Sequence, residues 1–196
     1  MKKNLVIAVL MTVATTILLG IIYPLMITLL AQVLFHDQAN GQLIEKNGEL
    51  IGSRIIGQPF VSDKYFHSRP SAAGTGYDAA NSSGSNFGPT NQKLIDRIKS
   101  DVTAAQSDNP ASTVPIDLVT ASGSGLDPDI TPAAALFQVP RIARVRGLSE
   151  DQVRQLIAEN TRSRSVGIFG EPGVNVLLLN LALDRTTGSH GATPGT

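Results

Sequence analysis

From Leu5 to Phe35 the chain carries no charged side chain, and Lys2 and Lys3 stand just before that run. A helix rises about 1.5 Å per residue and a bilayer's hydrocarbon core is about 30 Å thick, so roughly 20 apolar residues cross it. The run is long enough to cross once with surplus, and nothing later in the chain repeats it. A cleaved signal peptide also begins basic and continues apolar, but its apolar region covers about 7–15 residues and ends at a small-x-small site. Here the residues around Ala31 offer Leu29 at the minus-three position, so the run reads as an anchor.

Orientation follows from the cations, because Lys and Arg beside a span are retained on the cytoplasmic side. The expected layout is a cytoplasmic N-terminus over 1–4, a transmembrane helix over 5–35, a periplasmic domain over 36–185 and a disordered Gly/Thr/Ser tail over 186–196. The first cation beyond the span is Lys46. The ~160 outer residues suffice for one domain with a real core. With no cysteine in the chain, that core must hold without disulfides. Of the 16 Lys plus Arg, two precede the span, which leaves 14 against 16 Asp plus Glu outside. There is no basic excess to recruit nucleic acid.

Within the span, Thr12, Thr15, Thr16 and Gly20 are small residues that let another helix approach, and Pro24 removes a backbone donor and predicts a kink. Tyr23 and Gln32 add polar atoms that favour a protein neighbour over lipid. Beyond it, Asn47-Gly48 between two apolar segments predicts a hairpin with strands near Gln42–Lys46 and Glu49–Ile56. Residues 62–91 read as a long ordered loop with spaced aromatics. Thr90 or Asn91 caps a helix to about Gln106, with Leu94, Ile95, Ile98 and Val102 as its apolar stripe. Ile116–Thr120 is a short strand candidate. Thr131 with Pro132 starts a helix that is interrupted near Pro140 and ends at Gly147, and Ser149 with Gln152 forms a capping box for the next. Val174–Leu183 is almost continuously apolar and predicts a buried strand. The fold class is a single N-terminal transmembrane helix plus one α+β soluble domain.

No metal site reads out, because His36, His67 and His190 are scattered and no cysteine joins them. His67 in YFHSRPSA is a candidate base, though a lone histidine among aromatics is ordinarily a packed residue. The Gly-Ser loops Ser82–Pro89 and Ser122–Pro128 offer backbone amides to an anion, but neither carries the Lys and Ser/Thr of a Walker loop. The six arginines between Arg141 and Arg164 imitate a helix-turn-helix. Glu150, Asp151 and Glu159 offset half of that charge, and a segment outside the membrane does not meet a chromosome.

Taken in order, IIYPL at Pro24, GSRIIGQPF, YFHSRPSA, the SGSN loop, VTASGSGLDPDITPAAALFQVPRIARVR and GEPGVNVLLLNLALD resemble the C subunit of the bacterial Kdp potassium-transporting ATPase. The resemblance covers most of residues 5–185. It implies an accessory, non-catalytic subunit with no tightly bound cofactor. Its partners would be the pore-forming A subunit, the ATP-hydrolysing B subunit, the small F subunit and membrane lipid. It implies a place in the bacterial inner membrane, where the subunit stabilises the assembly and caps the outer potassium entrance. Asp127 and Asp129 would then modestly favour cations near a pore. An alternative attached to the same family is a catalytic chaperone that raises the B subunit's affinity for ATP, with a Gly-Ser loop contacting nucleotide from the cytoplasm. The expected interface residues are Tyr65, Phe66, His67, Arg69 and Pro70, with Ser122, Gly123, Gly125 and Asp127 as a second loop. On that reading, Phe66→Ala together with Arg69→Ala releases the subunit without unfolding it.

Overall fold

A computed structural model describes residues 1–46 and 48–189, with the side chains of 187–189 excepted. The chain forms two compact units, Met1–Leu43 and Ile44–Thr196.

The first unit is one continuous helical path from Lys2 to Leu34, apolar and long enough to cross a membrane, with none of its side chains buried. It comprises α1 (Lys2–Ile17), a π turn (Leu18–Ile22) and α2 (Tyr23–Leu34). The Tyr23 N–H reaches back to the Leu18 carbonyl, and Pro24, which has no N–H to give, comes next. The departure from α geometry thus adjoins the proline, as a widened turn. Three of the threonines satisfy themselves: Thr12, Thr15 and Thr28 donate to the carbonyls of Ala8, Met11 and Pro24 at 2.9, 2.8 and 2.8 Å. Gln32 exchanges hydrogen bonds with Asn40 beyond the one-turn helix α3 (His36–Ala39), at 3.3 and 3.1 Å. These groups therefore need no partner helix to meet their hydrogen bonds.

In the second unit, β1 (Leu43–Lys46) and β2 (Glu49–Ser53) pair as the expected hairpin. A three-stranded antiparallel sheet has the order β3 (Asp129–Ile130), β5 (Gly173–Asn175), β4 (Thr161–Arg162). Ile130 lies opposite Val174, and Thr161 opposite Val174 on the other side.

The helices follow their caps. Asn91 accepts from the Lys93 N–H at 2.9 Å and starts α4 (Gln92–Asp108). Its apolar stripe is half-buried. Thr131 accepts from Ala134 N–H at the head of α5 (Pro132–Phe137), the break falls at Gln138, and α6 (Val139–Arg146) ends on Gly147 at φ +66°. Ser149 and Gln152 form the complete capping box of α7 (Glu150–Glu159). Ser149→Ala is expected to lower stability by about 1 kcal/mol, checked by denaturant unfolding of the detergent-solubilised chain.

Two expectations fail here. Ile116–Leu118 is a 3-10 turn rather than a strand; its Asp117 is buried and accepts from Thr131 N–H at 2.6 Å. The apolar run from Val174 forms only the last two residues of β5 before turning into α8 (Val176–Ser189). Asn175 sets the switch: its Oδ1 accepts from Leu178 N–H at 3.1 Å, as an N-terminal cap does. Apolar periodicity cannot separate a buried strand from a helix buried all round. α8 carries helix through 186–189, and the rest of the expected tail, 190–196, lies outside the described residues.

The core collects Ile130, Ala134, Val139, Ile142, Val153, Ile157, Val174, Leu179 and Leu183 from both sheet and helices, together with Phe66 from the long loop.

Candidate functional site

The two loops singled out in the sequence are one structure. Arg69 Nη1 lies 3.1 Å from Asp127 Oδ2, and its Nε and Nη2 donate to Thr120 O and Oγ1, both at 3.4 Å. Ser71 Oγ donates to Gly125 O at 2.6 Å. The other Gly-Ser loop joins the same crossing, since Ser83 N–H and Ser82 Oγ both donate to Ser124 O at 3.0 Å. Tyr77, at φ +56°, turns its hydroxyl to the Arg69 carbonyl.

Gly125 is where this crossing is tightest. Its φ is +66°, and a Cβ there would lie 2.5 Å from Ser83 O and 2.7 Å from Ala73 N. Neither backbone atom can yield. Gly125→Ala is expected to cost about 2 kcal/mol or more, from the left-handed conformation and the collision together, read as a lower thermal midpoint of the soluble unit.

The stretch 65–70 is held by inward anchors. Phe66 is 0% exposed, and its N–H and carbonyl are both taken by the Asn180 amide, at 2.8 and 3.0 Å. The His67 backbone makes the same two-way exchange with the Gln138 amide, at 2.8 and 3.1 Å. Arg141, 2% exposed, donates from Nη1 to the Asp63 and Tyr65 carbonyls and from Nη2 to Gln138 Oε1. Its Nε lies 2.9 Å from Asp108 Oδ2 without hydrogen-bond geometry, so that contact is coulombic. Tyr65 donates to Asp184 Oδ2 at 3.1 Å beneath the Arg146 guanidinium, whose carbon is 4.8 Å from the ring centre.

Phe66 is therefore a core residue, a correction to its place among the contact residues. No partner can touch a side chain with no exposed area, and its truncation attacks the fold first. Tyr65, His67, Arg69 and Pro70 are half-buried on their own domain. In the second loop Gly125 is buried, Ser122 and Asp127 are half-buried, and Gly123 is exposed. Asp127 and Asp129 are each ion-paired, to Arg69 at 3.1 Å and Arg162 at 2.7 Å, so neither is a free carboxylate to draw cations. Two amides of this loop are engaged as well: Gly125 N–H donates to Ser122 O at 3.2 Å and Leu126 N–H to Ser124 Oγ at 3.1 Å. An anion drawn to those two amides would have to displace those bonds.

Two surface clefts flank 65–70. One, of about 410 Å³, is bounded by Lys46, Ile51, Gln58, Phe60, Tyr65, Leu181 and Asp184. The other, of about 370 Å³, is bounded by Asp63, His67, Arg69, Tyr77, Asp101 and Asp108. In the second, burial and then the neighbouring Arg141 charge hold the His67 imidazole below its ordinary pKa, against the opposing pull of the Ser62 carbonyl, Asp108 and Asp63. An unfolded histidine takes its proton near about pH 6.5, and the folded one only at lower pH. Stability is thus intact above that value and falls as pH drops through the window beneath it, down to the folded pKa. The thermal midpoint is expected to fall between about pH 7.5 and about pH 5.5, and less so in His67→Gln.

The residues that organise the site, Asn180, Gln138 and Arg141, were absent from the sequence-derived set. Asn180 had a readable signal, as the single polar residue of LLLNLAL. Gln138 and Arg141 had none, because polar residues in an amphipathic helix are ordinary on its wet face.

The family model described as "K+-transporting ATPase, c chain" matches residues 5–185. A potassium-transporting ATPase KdpC subunit of Koribacter versatilis is 64% identical, over 95% of this chain and 96% of its own. Proteins of the same description from Acidobacterium capsulatum and Rhodopseudomonas palustris are 57% and 55% identical over more than nine-tenths of both chains.

Proposed function

Since the chain belongs to the KdpC family and is a component of a potassium-transport complex, we propose that it is a single-pass accessory subunit that stabilises the assembly and caps the outer potassium entrance. Partnership with other Kdp subunits follows from the family; the proposed partners are the A pore, the B ATPase and the F subunit. The subunit makes and breaks no covalent bond in this reading and needs no tightly bound cofactor. It lies in the bacterial inner membrane, with 1–4 in the cytoplasm, 5–35 in the bilayer and 36–185 in the periplasm.

The observation that carries the orientation is that the span's flanking cations, Lys2 and Lys3, are at its N-terminal end. The site's construction supports a structural role. Its polar side chains are turned on one another and on backbone, which makes a stiff loop platform. Such a platform can present a fixed surface to larger subunits.

The test uses the absence of native cysteine. Ser82→Cys and Ser100→Cys lie at exposed positions of the soluble unit. A membrane-impermeant thiol reagent should label both in intact spheroplasts. Labelling only after lysis would put the domain inside, remove the pore cap and make the ATP chaperone the working reading.

A further inference from the structure

We propose that the turn Ser165–Phe169 is a preformed apolar anchor that seats in a shaped apolar pocket on another subunit of the complex. The turn joins β4 to β5 at the edge of the sheet. Val166, Ile168 and Phe169 are 88%, 71% and 69% exposed, three large apolar side chains on one short turn. Single exposed apolar residues are ordinary; a cluster on a protruding tip marks a contact surface.

The tip is built. Ser165 N–H donates to Phe169 O at 2.8 Å and Phe169 N–H to Ser165 O at 3.0 Å. Gly167 N–H donates to Arg164 O at 3.1 Å, and Arg164 is ion-paired to Glu171 across the neck at 3.0 Å. Val166 holds φ +53°, a left-handed conformation that a β-branched residue adopts at a cost. The turn thus keeps a strained backbone while its apolar side chains stay out of the core, and strain retained at an exposed tip is a mark of function.

Three occupants compete, and the observations favour one. Fluid hydrocarbon does not select a single turn geometry, and a lipid-seeking turn carries free cations for the headgroups. Here the neck arginines are neutralised, Arg162 by Asp129 at 2.7 Å and Arg164 by Glu171 at 3.0 Å, so neither is left to seek anionic phosphates. A second copy meeting tip to tip would bury a few hundred Å² at most, well short of the ~800 Å² per partner of a stable interface. A subunit pocket suits both facts. An aromatic and aliphatic centre ringed by paired charges is the make-up of an interface anchor. Small area suffices because the chain is already held in the complex, which makes docking an intramolecular event. The inference rests on family membership and is independent of which side of the membrane the domain occupies.

The test places photoreactive p-benzoylphenylalanine at Phe169 in the full chain, assembled with its complex in nanodiscs. Irradiation should yield a covalent adduct with one other Kdp subunit. An adduct with lipid alone, an adduct with a second copy, or no adduct overturns the proposal. In parallel, Phe169→Asp should reduce retention of this subunit during purification of the complex by about tenfold or more, with thermal unfolding of the isolated chain unchanged. Unchanged retention would overturn the anchor.

Discussion

Arg141→Ala is expected to destabilise the soluble unit by about 3–5 kcal/mol, the largest effect of any single polar substitution in it. One side chain, 2% exposed, neutralises Asp108 and supplies donors to the carbonyls of Asp63 and Tyr65 and to Gln138 Oε1. Removing it leaves two part-buried loop carbonyls without that donor, at up to about 1–3 kcal/mol each. Asp108 is 34% exposed and can regain water, which keeps the total from rising further. Arg141→Met separates the causes. It keeps most of the volume and loses the donors, so a methionine variant as unstable as the alanine one assigns the loss to hydrogen bonding. Recovery to near wild type would assign it to packing and defeat the argument. Denaturant midpoints followed by circular dichroism on the detergent-solubilised chain make the comparison.

Phe66→Ala is expected to cost about 3–5 kcal/mol by opening a cavity in the centre of the core. The loss will reach beyond the cavity, because Phe66 carries the backbone groups that hold Asn180, itself 2% exposed. Once the loop shifts, that buried amide loses both partners. Phe66→Leu, which keeps most of the apolar volume, should recover the larger part of the stability. Co-purification with the complex should track stability across both variants. A Phe66→Ala chain that is as stable as wild type and absent from the complex would restore the side chain to direct contact with a partner.

Much of this was legible locally. The long apolar helix, the hairpin, the Asn91, Thr131 and Ser149 caps, the helix break expected near Pro140 and found at Gln138, and the Gly147 stop are all decided by a few adjacent residues. A side-chain cap, a glycine that reaches φ +66° and an uncharged run act within one or two turns of chain, so their effect is written in the order of residues. The family, too, was readable from motif order. The Val174–Leu183 run was not, because uninterrupted apolarity has no period to read, and the helix start rests on one asparagine cap. Ile116–Thr120 failed for a similar reason: its turn is held by Asp117 reaching Thr131, a contact fourteen positions along the chain.

For the site, the residue types that make a good interface anchor also make a good core anchor, and local chemistry cannot choose between them. Phe66 within YFHSRP has the same neighbours in sequence whichever way it faces. The choice was made by Asn180, Gln138 and Arg141, which lie between 71 and 114 positions from the backbone they hold in the case of the two amides. By itself the sequence determined where the long apolar helix runs, where most helices of the domain start and stop, and which family the chain resembles, because those follow from short-range sterics, capping and charge. Only the tertiary structure decided which loop residues face inward, which carboxylates are already neutralised and which apolar turn is left outside, because burial and pairing are properties of segments that meet in space after long loops have closed.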